Sequence, residues 1–283
     1  MTDTAASQVV PTPAVQQYAQ TCLEGAQTAR EQLRVEPDIA FGSDERQKLD
    51  IYMPAEEAST PMPVLVFMHG GGWRQGSKDW MGFIAPSVTC LPAVFVSVGY
   101  RLAPQTKYPG AEDDCRAGLG WVYNNIARYG GDPERIFVGG HSAGGHLAAM
   151  LALCPDRLES CGLPSDTVKG CFAMAGVFDL ATSRPDYVEN FLQSVDPDTI
   201  EKASPIRQVA GNRVPFHISI GEHDNPHLIP HASQLADALM EQGSPVEFMR
   251  FDGCDHLEMN LKAGEVDGQW ARTVRQWMQS PPM

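Results

Sequence analysis

The sequence is poor in positive charge. Its 283 residues carry 21 Lys and Arg against 35 Asp and Glu, a formal charge of −14. A nucleic-acid binder needs a basic surface to neutralise phosphates, so that class is disfavoured. Docking on anionic lipid is disfavoured for the same reason. Long apolar runs are also absent. One of the longest, residues 64–68, is far too short to span a bilayer. Residues 1–8 have neither a basic stretch nor an apolar one, so no secretory leader is expected. There is no C-x-x-C pair, and the cysteine count of seven is odd. Reduced thiols, buried as small apolar side chains in a cytoplasmic protein, are the simplest reading. Nothing requires Cys154 and Cys161 to pair. Internal repeats and low-complexity linkers are missing as well.

What is present is an ordinary globular composition, 43% hydrophobic and 20% charged, in a chain long enough for one large α/β domain or two small ones. Residues 1–12 read as a loose tail. From 13 to 33 the apolar positions Val15, Tyr18, Cys22, Ala26, Ala29 and Leu33 recur every three to four residues, the period of an amphipathic helix. Short β-rich runs follow at 48–53, 64–68, 93–98, 135–139, 170–175, 216–220 and 246–251. Helical stretches are expected at 79–91, 111–129, 143–153, 228–242 and 268–279. This alternation implies an α/β fold with a mostly parallel sheet flanked by helices. Ligands then sit beyond the C-terminal ends of the strands. Residues 178–212 break the rhythm and read as a small cap insertion with one short helix at 187–195. The division expected is a tail and helix at 1–35 and a catalytic domain at 36–283.

The strongest chemical signal is Gly140-His141-Ser142-Ala143-Gly144, a G-x-S-x-G between an expected strand and an expected helix. The tight turn strains Ser142 and lifts its Oγ into the crevice, with free helix N–H groups behind it. Ser142 is therefore the candidate nucleophile. His69-Gly70-Gly71-Gly72-Trp73 follows the 64–68 strand. Its spacing matches no phosphate loop. Its glycines let backbone N–H groups turn inward, so Gly71, Gly72 and Ala143 are candidate oxyanion donors. His69 is read as orienting the loop.

A base must reach Ser142 from a late loop, and His256 follows the 246–251 strand. His217 sits inside a strand, His146 inside a helix, and His141 is expected to point away at the turn. The acid should follow the preceding strand, where Asp224 has the right position in the chain order serine, acid, histidine. Glu222, Asp252, Asp255 and Asp179 compete, and Asp179 is better read as a loop carboxylate. His223, Asp224, His227 and His231 invite a metal reading, but the spacing is not H-E-x-x-H and Pro226 and Pro230 interrupt it. No metal and no cofactor is called for. Trp73, Trp80, Phe83, Phe178, Tyr187 and Phe191 flank the region. Of these, Trp73, Phe178, Tyr187 and Phe191 are the candidate substrate contacts, each with core packing as its plainer role.

On these motifs the chain resembles the α/β-hydrolase superfamily. More narrowly it is similar to small carboxylesterases with an H-G-G-G-W loop, including hormone-sensitive-lipase-like enzymes, and to the related kynurenine formamidases. Residues 49–54, LDIYMP, 99–104, GYRLAP, and 140–151, GHSAGGHLAAML, carry the likeness further. It extends over about residues 36–280. The resemblance implies Ser142 as nucleophile, His256 as base, Asp224 as acid and Gly71, Gly72 and Ala143 as oxyanion donors. Two positions depart from it. Gln105 stands where the esterase branch has Glu, and Gly72 where formamidases carry a bulkier residue. The expected activity is hydrolysis of small acyl esters, with N-formyl aryl amides as the alternative. A non-catalytic ligand receptor on the same fold is the rival from another class, and a metallohydrolase the third. The expected partner is a small ester or amide, with neither nucleic acid nor membrane; a homodimer is compatible with the sequence.

Overall fold

The alternation of β-rich and helical segments folds into an eight-stranded sheet. The computed structural model describes residues 12–282, so the expected tail, apart from Thr12, lies outside the described residues. The strands are β1 (Arg34–Ala40), β2 (Lys48–Met53), β3 (Met62–Met68), β4 (Val94–Val98), β5 (Gly131–His141), β6 (Val168–Met174), β7 (Phe216–Gly221) and β8 (Val246–Phe251). Their spatial order is β1-β2-β4-β3-β5-β6-β7-β8. β1 pairs with β2, and β2 with β4, antiparallel. All later pairings are parallel. Every residue of β3 and β4 is buried, as expected of strands covered on both faces.

Ten α-helices are described: α1 (Pro13–Gln32), α2 (Ala85–Thr89), α3 (Gly110–Asn125), α4 (Ala143–Leu153), α5 (Pro155–Glu159), α6 (Pro185–Phe191), α7 (Pro197–Ala203), α8 (Leu228–Glu241), α9 (Glu258–Leu261) and α10 (Gln269–Gln279). Among the described residues no helix is long and apolar enough to cross a membrane. Helix α1 starts where its sequence says it should. The Thr12 hydroxyl accepts from the Val15 amide, and Pro13 opens the first turn. Its buried stripe is Tyr18, Cys22, Ala26 and Ala29.

Three expectations need correction. The helix expected over 79–91 is broken. Two 3-10 turns, Lys78–Trp80 and Gly82–Ile84, precede the short α2. Pro86 cannot sit inside a long helix. Gly82 is also squeezed between α1 and β2: a Cβ there would lie 2.9 Å from Ala26 Cβ and 2.3 Å from Tyr52 Oη. Strand β1 was not anticipated. It is an edge strand carrying Pro37, with a register shift between Glu36 and Ile39, so the period-two signal is lost. The helix expected over 187–195 is instead α6, ending at Phe191, and a second helix, α7, follows at Pro197.

The sheet places the chemistry. β3 runs between β4 and β5, so the chain reverses direction of travel across the sheet beside it. The crevice at such a switch point is where open α/β sheets bind ligands. The H-G-G-G-W loop follows β3, and Ser142 follows β5.

Candidate active site

Ser142 occupies the single residue between β5 and α4, with φ 57° and ψ −119°. A non-glycine residue at this positive φ is strained and must be held by its surroundings. Its amide donates to Met174 O on β6 at 2.8 Å, and its carbonyl accepts from His146 N at 3.0 Å. Both flanking glycines are sterically required. A Cβ on Gly140 would lie 2.3 Å from Gly144 O, and one on Gly144 would lie 2.1 Å from Met68 O.

The loops after β7 and β8 are joined backbone to backbone. Glu222 N donates to Phe251 O and His223 N to Cys254 O, each at 2.9 Å. Gly253 N donates to the Glu222 carboxylate at 2.8 Å. This pairing delivers Asp224 and His256 to the same place. His256 Nε2 lies 2.9 Å from Ser142 Oγ, and His256 Nδ1 lies 2.8 Å from Asp224 Oδ1. The Asp224 side chain is fully buried, and the Asn225 amide also donates to its Oδ1 at 2.7 Å. The four competing carboxylates are engaged elsewhere. Asp179 accepts from Ala181 N, and Asp255 from Leu257 N and Glu258 N. Glu222 and Asp252 both pair with Arg250.

The glycine loop wraps close to Ser142. Gly71 and Gly72 have φ of +120° and +60°, conformations that side chains rarely tolerate. A Cβ on Gly71 would lie 2.0 Å from Gln75 O. No amide N–H of Gly71, Gly72 or Ala143 donates to another described residue. His69 braces the loop. Its Nδ1–H donates to Gly70 O at 2.7 Å, its ring stacks on Tyr100 at 4.2 Å, and its carbonyl accepts from Tyr100 Oη at 2.7 Å. Burial pulls its pKa down to about 4, so the ring is neutral at pH 7.

His141 does not point away from the site, contrary to expectation. Its Nε2–H donates to the backbone carbonyl of His256 at 2.8 Å, and its ring lies 4.6 Å from the His256 ring. As the last residue of β5 it lies beside the 252–257 loop, and the His256 carbonyl holds its ring there. Burial, and then the neighbouring His256, hold its pKa well below 6.5.

Ser142 and His256 open onto a cavity of ≈ 110 Å³. Of the four aromatic candidates only Tyr187 lines it. Trp73, Phe178 and Phe191 are fully buried instead. Trp73 stacks on Phe191 at 4.1 Å and meets His146 edge-on. This packing joins α6 to the glycine loop and α4 and leaves those rings no face for a ligand. Trp80 lines the cavity, whereas Phe83 packs against Gly25 and Gly264. Residues that the sequence did not single out also line it: Val15 from α1, Val177, Arg184 and Asn225. In the segment around His223, two of the four groups have other partners. Asp224 serves His256, and His231 Nε2 lies 3.0 Å from Thr182 Oγ1. Among the described residues no three His, Cys, Asp or Glu converge as a metal site.

Comparison with known proteins bears on the family and the fold. The BD-FAE family model matches residues 49–239. Kynurenine formamidase of Danio rerio is 29% identical over 240 residues, which cover 83% of this chain and 79% of that protein. Esterase LipC of Mycobacterium tuberculosis is 29% identical over 253 residues, which cover 83% of this chain but only 62% of LipC. The chain thus spans less than two thirds of the length of that relative. A hyperthermophilic esterase from the archaeon Pyrobaculum calidifontis superposes with a TM-score of 0.73 at 26% identity, covering 94% of this chain and 91% of that one. The fold is the α/β-hydrolase fold.

Proposed function

This chain belongs to the BD-FAE family, and from that premise we propose that it is a serine hydrolase cleaving carboxylic esters of small acyl groups. The observation that carries the reading is the relay of two hydrogen bonds, 2.9 Å from Ser142 Oγ to His256 Nε2 and 2.8 Å from His256 Nδ1 to Asp224. His256 takes the Ser142 proton as Oγ adds to the acyl carbon. Asp224 holds the imidazole tautomer and stabilises the imidazolium. The unengaged N–H groups of Gly71, Gly72 and Ala143 receive the oxyanion, each worth about 10²–10³ in rate. His256 then gives its proton to the leaving alcohol, the C–O bond breaks, and an acyl-enzyme remains. Water, deprotonated by His256, releases the acid and restores Ser142.

Residues 178–212 act as the cap, with Tyr187 leaning over Gly72. The seven cysteines are all free, which suits a reducing cytoplasm. An N-formyl aryl amide is the second reading. The kynurenine formamidase relative supports it, since the likeness runs over most of both chains.

The test is covalent labelling by a fluorophosphonate probe, with Ser142→Ala as the control. Labelling lost in the variant, together with turnover of acetyl and butyryl esters, supports the reading. A preference of about 10²-fold for N-formylkynurenine, roughly 2.7 kcal/mol in the barrier, would move the assignment to the amide. Tight ligand binding with no turnover of any ester or amide would replace it with a receptor.

A further inference from the structure

We propose that helix α1 is a wall of the substrate cavity, and that Val15 and Tyr18 set the size of the group admitted beside Ser142. This rests on the reading of Ser142 as the nucleophile. Both residues line the cavity that Ser142 and His256 open onto, although they lie more than 120 residues earlier in the chain. Tyr18 is buried and locked in place. Its Oη accepts from Asn260 Nδ2 at 2.5 Å, and Asn260 lies in α9, four residues beyond His256. Its ring meets Trp80 edge-on at 6.0 Å and lies 6.5 Å from His141. The phenol therefore bridges the base-bearing loop and the segment after the glycine loop.

The helix behind these residues is anchored rather than loosely laid on. Arg30, three turns further along α1, pairs with Asp50 at 3.0 Å, and the Asp50 side chain is fully buried. Gly25 packs so closely on Phe83 that a Cβ would lie 2.7 Å from Phe83 Cβ. A wall fixed at both ends filters by size. At ≈ 110 Å³ the cavity is well below the ~300–1,000 Å³ of sites for drug-sized ligands. Val177, Leu228 and Leu257 add apolar lining, while Gln75, Arg184, Asn225 and His227 supply polar lining. The class admitted is an ester presenting a short apolar group to α1.

The experiment uses the full chain and two opposite substitutions at half-buried Val15: Val15→Ala to widen and Val15→Phe to narrow. The readout is kcat/KM on p-nitrophenyl acetate, butyrate and hexanoate, and on acetates of increasing alcohol bulk from ethyl to benzyl. In the series whose varied group lies against α1, Val15→Ala raises the large-to-small ratio by about tenfold and Val15→Phe lowers it. Tyr18→Ala shifts the same ratio upward, and a thermal melt shows that this variant is folded. A merely structural residue would lower all rates together and leave the ratios unmoved. Ratios within twofold of wild type in both series, for both Val15 variants, overturn the proposal. If the unmodified protein hydrolyses none of these esters, the ester reading falls first and takes the wall, as a filter of ester groups, with it.

Discussion

Replacing Asp224 by Asn keeps the shape of the carboxylate and removes its charge. In this structure the consequence depends on Asn225. Its amide donates to Asp224 Oδ1 at 2.7 Å, and the same oxygen faces His256 Nδ1 at 2.8 Å. An amide NH2 turned to that position would confront the Asn225 N–H, so the Asn oxygen stays there and still accepts from Nδ1–H. The imidazole tautomer is then retained, and the loss is that of the charge. Two unit charges about 4 Å apart attract by about 4 kcal/mol at an effective dielectric of about 20, which corresponds to roughly 10³ in rate. A flipped amide would impose the wrong tautomer and cost about 10⁴. The new NH2 takes the place of Asp224 Oδ2, which is already buried without a partner among the described residues, so no further group is left unsatisfied and stability changes little. The assay is kcat/KM on p-nitrophenyl acetate beside a denaturant melt, with Asp179→Asn as the comparison. A loss below tenfold for Asp224→Asn, with a loss above 10²-fold for Asp179→Asn, would show that the acid has been misassigned.

Gly144→Ala should destabilise by about 3 kcal/mol or more, because its Cβ meets the Met68 carbonyl, which cannot give way; urea denaturation measures it, and an unchanged midpoint would contradict the geometry. Asp50→Ala removes the carboxylate 2.7 Å from Lys78 Nζ, but Asp38 and Asp79 still pair with that ammonium at 2.9 and 3.0 Å, so the cost is about 1.5–3 kcal/mol; a double-mutant cycle with Lys78→Met measures the share that belongs to this pair. Burial lowers the His217 pKa to about 4. Between pH 4 and 6.5 the unfolded chain therefore binds the proton that the folded one refuses, so stability falls on acidification through that window by up to about 1.4 kcal/mol per unit. His69, His146 and His231 are lowered to about 4 as well, so His217→Phe, whose ring suits the contacts with Phe172 and Trp277, should reduce the slope by one histidine's share; melts of both proteins at pH 4.5, 5.5 and 6.5 decide it.

The parts of this protein legible in the sequence are those enforced within a few residues. The elbow at Ser142 was readable because a strained turn between strand and helix needs small residues at 140 and 144, and both glycines stand there. The buried strand 64–68 was readable because it lacks any polar interruption, and 93–98 because Ser97 alone interrupts it. Strand β1 was hidden by Pro37 and by its edge position; the break at 79–91 had a local sign in Pro86, but its contacts with α1 and β2 lie far off in sequence. The direction of His141, the retreat of Trp73, Phe178 and Phe191 into packing, and the arrival of Val15 and Tyr18 at the cavity are likewise questions of which distant surfaces meet. Local sterics and periodicity are written residue by residue along the chain. Which side chains line a common void depends on how the sheet twists and where each loop lands, and no short stretch of the chain contains that information.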